Sequence, residues 1–255
     1  MTEKKSDKKF AIIGGTGLTK LENLEIVRRE IVMTSFGEPS SALAFGCIDG
    51  VVEQEVVFMA RHGHAHNIPP HMINYRANIK ALKSVGVTSI FAINAVGGIR
   101  DDMVPGTLAV PDQIIDYTTR RVNTFFESNL SHVTHIDFSW PYNKQLSEQV
   151  FDAAQQQGID IIKGGTYAAT EGPRLETAAE IQRLKRDGCD MVGMTGMPEA
   201  ALARELNMDY VSICVNANWA AGISDELITM EAIDRNLVNG MAKVRQLLAQ
   251  LISQF

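Results

Sequence analysis

The sequence predicts an α/β protein on three observations. Apolar runs of strand length recur along the chain, helical stretches alternate with them in the second half, and no linker rich in proline, glycine or serine divides the 255 residues. Residues 1–9 are expected to be a disordered tail and 10–255 a single domain. The first strand-like run, 10–14, breaks into glycines, and runs at 42–48, 54–60 and 87–95 follow, with a helix expected at 73–85. Runs at 107–115 and 159–168 flank a helix at 143–157; helices at 176–187 and 198–206 precede the run at 209–217. A last helix, 230–254, carries Ile233, Leu237, Met241, Val244, Leu248 and Leu251 at helical spacing, the stripe by which a helix packs onto a core. Residues 117–142 show no period but hold aromatics that need burial, so this stretch is expected to pack on a partner subunit or cover a site.

Composition removes several classes. With 45% hydrophobic and 21% charged residues the chain fits an ordinary globular protein with one extended core. A net charge of −6 with both signs interspersed offers no basic stripe for phosphates, so neither nucleic acid nor an anionic membrane is an expected partner. The start, MTEKKSDKKF, runs straight into FAIIGG without the apolar region of a signal peptide, and no apolar run reaches the ~18 residues of a membrane helix. Three unclustered cysteines, Cys47, Cys189 and Cys214, suggest a reduced, cytoplasmic protein with no structural zinc.

The chemistry-bearing residues gather where strands end, the rim at which open α/β sheets bind ligands. Asn218, a lone amide closing the run at 209–217, offers a donor and an acceptor together, a pair able to hold the N7 and O6 edge of a 6-oxopurine; its plainer role is to close a turn. Gly14-Gly15-Thr16-Gly17 could cradle an anion with backbone N–H groups, whereas a dinucleotide site would need a third glycine where Lys20 stands. Arg61, His62, His64 and His66 crowd one strand end. Three histidines could suggest a metal, but the adjacent Arg61 repels a cation, and Arg61 with His62 makes a better anion clamp or, more plainly, a solvated polar loop. Asn94 precedes Ala95 and two glycines, Glu176 stands where a helix-start carboxylate is also routine, and Thr195 lies just before a helix whose N-terminus would favour an anion.

In order, GGTGL, ARHGHAH, INYRANIKALK, NAVGGI, EGPRLET and GMTGMPEAALA resemble the nucleoside phosphorylases of the purine nucleoside phosphorylase and methylthioadenosine phosphorylase type, over about residues 10–240. The resemblance implies a three-layer-like fold with a central twisted mixed β-sheet flanked by helices. It also implies phosphorolysis, in which inorganic phosphate attacks the anomeric carbon of a purine nucleoside, with no metal or organic cofactor. By the same carry-over Thr16, Arg61, His62, Asn94, Ala95 and Thr195 hold phosphate, and Met194 lies under the ribose. Asn218 and His62 are the catalytic candidates, and Leu175, Glu176, Trp219 and Ala220 surround the base, with Glu176 accepting from N1–H.

The sequence departs from the methylthioadenosine enzymes, which carry aspartates at the positions of Asn218 and Ala220 and a serine at that of Glu176. The base site is therefore expected to take a 6-oxopurine, while GGTGL and RHGHAH stay similar to the methylthioadenosine group. This combination resembles the bacterial methylthioinosine phosphorylases. It implies that His135 is lent to a neighbour's 5′ pocket, lined also near Met230 and Ile233, and hence a homotrimer with shared sites. Inosine or guanosine remain alternative substrates, as does methylthioadenosine. Of other classes, a purine-binding module would bind without phosphate-dependent turnover and an NAD-dependent oxidoreductase would change nicotinamide absorbance. Replacing Arg61 by alanine is expected to remove phosphate dependence with the fold intact.

Overall fold

Alternation along β1 (Phe10–Gly14) sets the layers: Phe10 and Ile12 enter one core, Ala11 and Ile13 the other. The computed structural model describes residues 8–48, 51, 54–128 and 130–255. β1 lies between β4 (Val56–Ala60) and β5 (Ser89–Gly98), parallel to both. Beyond β4 the sheet continues antiparallel through β3 (Leu43–Ile48) to the edge strand β2 (Leu24–Glu30). On its other side β5 pairs in parallel with β11 (Asp209–Trp219), and its last residues pair antiparallel with β10 (Met191–Gly193). From β10 the sheet runs on in parallel steps to β9 (Thr166–Ala169) and β7 (Gln113–Asp116), while β6 (Leu108–Val110) and β8 (Ile161–Lys163) extend from β11.

Helices α1 (Tyr75–Ser84) and α4 (Gly196–Glu205) pack into one core, α2 (Lys144–Gln156) and α5 (Met230–Ile252) into the other. A third, smaller core sits under α3 (Ala178–Arg186). This is the expected α/β fold, a mixed sheet between helical layers. The stripe on the last helix behaves as read: Ile233, Leu237, Met241, Val244, Leu248 and Leu251 are all buried.

Four expectations change. The run at 107–115 is two strands, broken where the N–H groups of Asp112 and Gln113 turn to the Gly165 carbonyl. The run at 159–168 is also two, parted by Gly164 and Gly165, both at positive φ. Neither β2 nor β10 was anticipated: β2 buries only Leu24 and carries charges along an edge, and β10 is three residues long. Lys9, expected in the tail, is instead tied to the sheet, its carbonyl accepting from the N–H groups of Thr88 and Ser89; residues 1–7 of the expected tail lie outside the described residues. Residues 117–142 hold no helix or strand among those described, and Phe125 and Phe138 pack onto the core of their own chain.

One contact ties the rim together. Arg61, directly after β4, and Glu199, in α4, are both 0% exposed, and the guanidinium fork meets the carboxylate through Nε and Nη2, each at 2.7 Å. Nη1 donates to the Ile93 carbonyl of β5, and the Tyr210 hydroxyl of β11 donates to Glu199. The arginine therefore does not lie in a solvated loop. Replacing Glu199 by alanine strands a buried cation, so urea unfolding is expected to show a loss of about 3–5 kcal/mol. A loss below about 1 kcal/mol, typical of a surface pair, would contradict this role. For the same reason Arg61→Ala strands Glu199 and would not leave the fold intact.

Candidate active site

A cavity of about 170 Å³ opens at the carboxyl ends of β1, β4, β5 and β11. Gly15 and Thr16 reach it from β1, Arg61 and His62 from β4, Ala95, Val96 and Gly97 from β5, and Ala217 and Asn218 from β11. Val192, Gly193, Met194 and Thr195 also line it, as do Leu175 and Glu176, and Ile228, Ile233 and Leu237 add apolar wall. The glycine turn after β1 is followed by further turns and β2, not a helix, so the turn lacks the helix a dinucleotide site requires. A Cβ at Gly15 would lie 2.6 Å from the Ile93 carbonyl oxygen and 2.8 Å from Arg61 Nη1, so the close approach of β1 to the arginine requires glycine.

Asn218 owes its place to an irregularity. Against β5, Asn216 pairs with Val96 and Asn218 with Gly97, a register shift that leaves Ala217 as the extra residue. In a regular strand neighbours face opposite sides, yet Ala217 and Asn218 both line the cavity. From α5, Asn236 holds the bulge by donating to the Ala217 carbonyl at 2.8 Å. The Asn218 Nδ2 donates to the Trp219 carbonyl at 2.7 Å, which fixes which end of the amide is the donor. Asn218 is not a lone amide, since buried Asn216 precedes it and donates to the Thr107 hydroxyl at 2.8 Å.

Glu176 lies outside α3, so the routine helix-start role falls elsewhere. Thr177 caps the helix and Glu180 completes a capping box with it, leaving the Glu176 carboxylate for the cavity. The Thr170 hydroxyl donates to its Oε1 at 2.7 Å.

Elsewhere on the lining the polar groups are more committed than the sequence suggested. Arg61 reaches the cavity wall, but its fork is held by Glu199. His62 Nδ1 lies 2.8 Å from the Ile68 carbonyl and so donates, leaving Nε2 as an acceptor. Burial, then the Arg61 guanidinium, push the His62 pKa down to about 4, so the imidazole is neutral and no charge-assisted donor. The Thr195 hydroxyl donates to Asn94 Oδ1 at 2.8 Å, and the N–H groups of Thr195 and Gly196 point to the Tyr167 hydroxyl. The expected helix N-terminal anion site is thereby occupied by a tyrosine. Thr16 lies 3.1 Å from His66 Nε2. Among the described residues His62, His64 and His66 belong to no group able to hold a metal.

Four candidates fall outside the cavity lining. Asn94 is buried behind it, linking Thr195 to the Ser212 hydroxyl. Trp219 contributes its carbonyl to Asn218 and does not line the cavity. His135 is exposed, and Met230, first residue of α5, is 63% exposed, with Ile228 and Ile233 in the apolar wall instead. Thr16, Arg61, His62, Ala95, Leu175, Glu176, Met194, Thr195, Asn218, Ala220 and Ile233 all line one cavity. Sequence reading missed Glu199, Tyr210, Tyr167 and Thr170; the one signal was a glutamate inside the apolar run Pro198–Ala203.

Residues 9–253 match the phosphorylase superfamily. The chain is 52% identical over 244 residues to a protein of Pseudomonas syringae pv. tomato named probable S-methyl-5′-thioinosine phosphorylase, covering 96% of this chain and 98% of the relative. It is 44% identical over 227 residues to a 6-oxopurine nucleoside phosphorylase of Pyrococcus furiosus, covering 87% and 83%. The methylthioadenosine phosphorylase of Schistosoma mansoni in complex with adenine superposes with a TM-score of 0.92 at 31% identity, covering 97% of this chain and 91% of that one. With family, relatives and fold in agreement over nearly the whole length, the chain belongs to the phosphorylase superfamily and is a nucleoside phosphorylase.

Proposed function

We propose that the chain catalyses phosphorolysis of a 6-oxopurine nucleoside with an apolar 5′ substituent, S-methyl-5′-thioinosine foremost, giving hypoxanthine and 5-methylthioribose 1-phosphate. The observation that carries this reading is that Asn218 and Glu176 line the same cavity as Ile228, Ile233 and Leu237. With one Nδ2 proton on Trp219, Asn218 keeps a second for O6, and its Oδ1 accepts from N7 once that nitrogen takes a proton from solvent as the base departs. Glu176 accepts from N1–H, which neutral adenine lacks. A 5′-methylthio group suits an apolar wall that offers no partner to a hydroxyl.

Phosphate is placed at the end lined by Thr16, Ala95, Thr195 and His62, with Arg61 behind them and Asn94 holding Thr195. Bond cleavage leaves positive charge on the sugar and negative charge on the purine, so catalysis rests on a positioned anion at one end and proton-sharing groups on the base at the other. His62 Nε2 accepts a hydrogen bond from phosphate or from a sugar hydroxyl. Phosphate is co-substrate, and no organic cofactor or metal is needed. We place the enzyme in the cytoplasm as a homotrimer: the exposure of His135 and Met230, away from their own cavity, supports a role for both in a neighbouring copy's 5′ pocket.

Three outcomes test the reading. Chromatography of base released from methylthioinosine, methylthioadenosine, inosine, guanosine and adenosine, with and without phosphate, is expected to show phosphate-dependent cleavage led by methylthioinosine. If inosine or guanosine leads, the apolar wall is misassigned, and if methylthioadenosine leads, the base end is. In Asn218→Asp the inosine-to-adenosine preference is expected to fall by at least about tenfold, the scale of one charge-assisted hydrogen bond; an unchanged ratio sinks the role of Asn218. His62 also links stability to pH. Its folded pKa of about 4 lies below the reference 6.5, so the unfolded chain binds the extra proton, and stability falls as pH drops from 6.5 to 4. Denaturant midpoints should show this loss, about 3 kcal/mol in all, and His62→Asn should flatten it.

A further inference from the structure

We infer that Thr170 is a positioning residue for base selection, holding Glu176 so that a fixed carboxylate oxygen faces the purine. The inference rests on the base-site role proposed for Glu176. Thr170 is itself rigidly placed: its N–H donates to the Gly193 carbonyl at 2.9 Å, and its own carbonyl accepts from Arg121 Nη2 at 3.1 Å. Its hydroxyl has one proton and two acceptors in range, Glu176 Oε1 at 2.7 Å and the Gly193 carbonyl at 3.4 Å, so the proton goes to Glu176.

The tether decides between two directions. Glu176 lines both the site cavity and a separate cleft that holds Arg174. Arg174 is two-thirds exposed and its guanidinium is already held at two points by Glu180, so it gives Glu176 no fixed partner on that side. The short hydrogen bond from Thr170 is the side-chain contact that holds the carboxylate. Because the hydroxyl donates, Oε1 is engaged as an acceptor and Oε2 remains an acceptor for the ligand. A base offering N1–H is then matched, and one presenting a bare N1 lone pair meets another lone pair.

The test compares Thr170→Val, which keeps shape but loses the proton, with Thr170→Ser, which keeps the proton. Steady-state kinetics with inosine and adenosine, titration with hypoxanthine and thermal unfolding are measured on each. In Thr170→Val the KM for inosine is expected to rise about tenfold, kcat to move less, and the inosine-to-adenosine preference to fall by a similar factor. Thr170→Ser should restore that preference, which a merely structural role for the methyl group would not. If Thr170→Val does not fold, Thr170→Ala is read in the same way. Glu176→Gln separates the two claims: if it lowers the preference while Thr170→Val does not, this inference fails alone. If Glu176→Gln leaves the preference unchanged, the base-site reading fails and the inference with it.

Discussion

The Arg61–Glu199 pair constrains everything at the rim. A guanidinium without solvent must be matched in charge and in hydrogen-bond geometry, because an unpaired buried ion costs several kcal/mol. The fork meets the carboxylate in the two-point arrangement that fits both planes, Nη1 takes the Ile93 carbonyl, and Tyr210 completes Glu199. These bonds fix β4, β5, α4 and β11 relative to one another. Gly15 then follows from the arginine, since β1 can come this close only without a side chain.

Pairing also shapes the field in the cavity. With Glu199 against Arg61 and His62 neutral, the end we assign to phosphate is not a well of positive charge. Its polarity comes from oriented neutral groups. For a reaction that builds positive charge on a sugar between an anion and a departing base, a free cation beside the sugar would oppose the charge that must form. A paired guanidinium gives shape and hydrogen-bond capacity with less of that penalty.

Much of this was legible in the sequence because it depends on local pattern. Continuous apolar runs marked β1, β4, β5 and β11, and the motifs at their ends do line one cavity, since parallel strands deliver successive rims to the same edge. What stayed hidden depends on contacts distant in sequence. Nothing near Arg61 says that its partner is 138 residues away, nor near Thr195 that a tyrosine from β9 takes its N–H. β2 was invisible because an edge strand needs little apolar surface, and the break inside 107–115 because it is set by Gly165.

The two ends of the cavity rest on different physics. The end we assign to phosphate is bound into the fold through a buried ion pair, so changing it disturbs the sheet. The end we assign to the base is made by a bulge in β11, pinned by Asn236, and by a short loop whose carboxylate accepts from one hydroxyl. Those side chains are half-buried and their partners are backbone carbonyls or a single threonine, so they can be exchanged at little cost to the core. On the proposed roles, such a division lets one scaffold keep the nucleophile fixed while the purine edge it reads changes, because the residues assigned to the base are not the ones that hold the strands together.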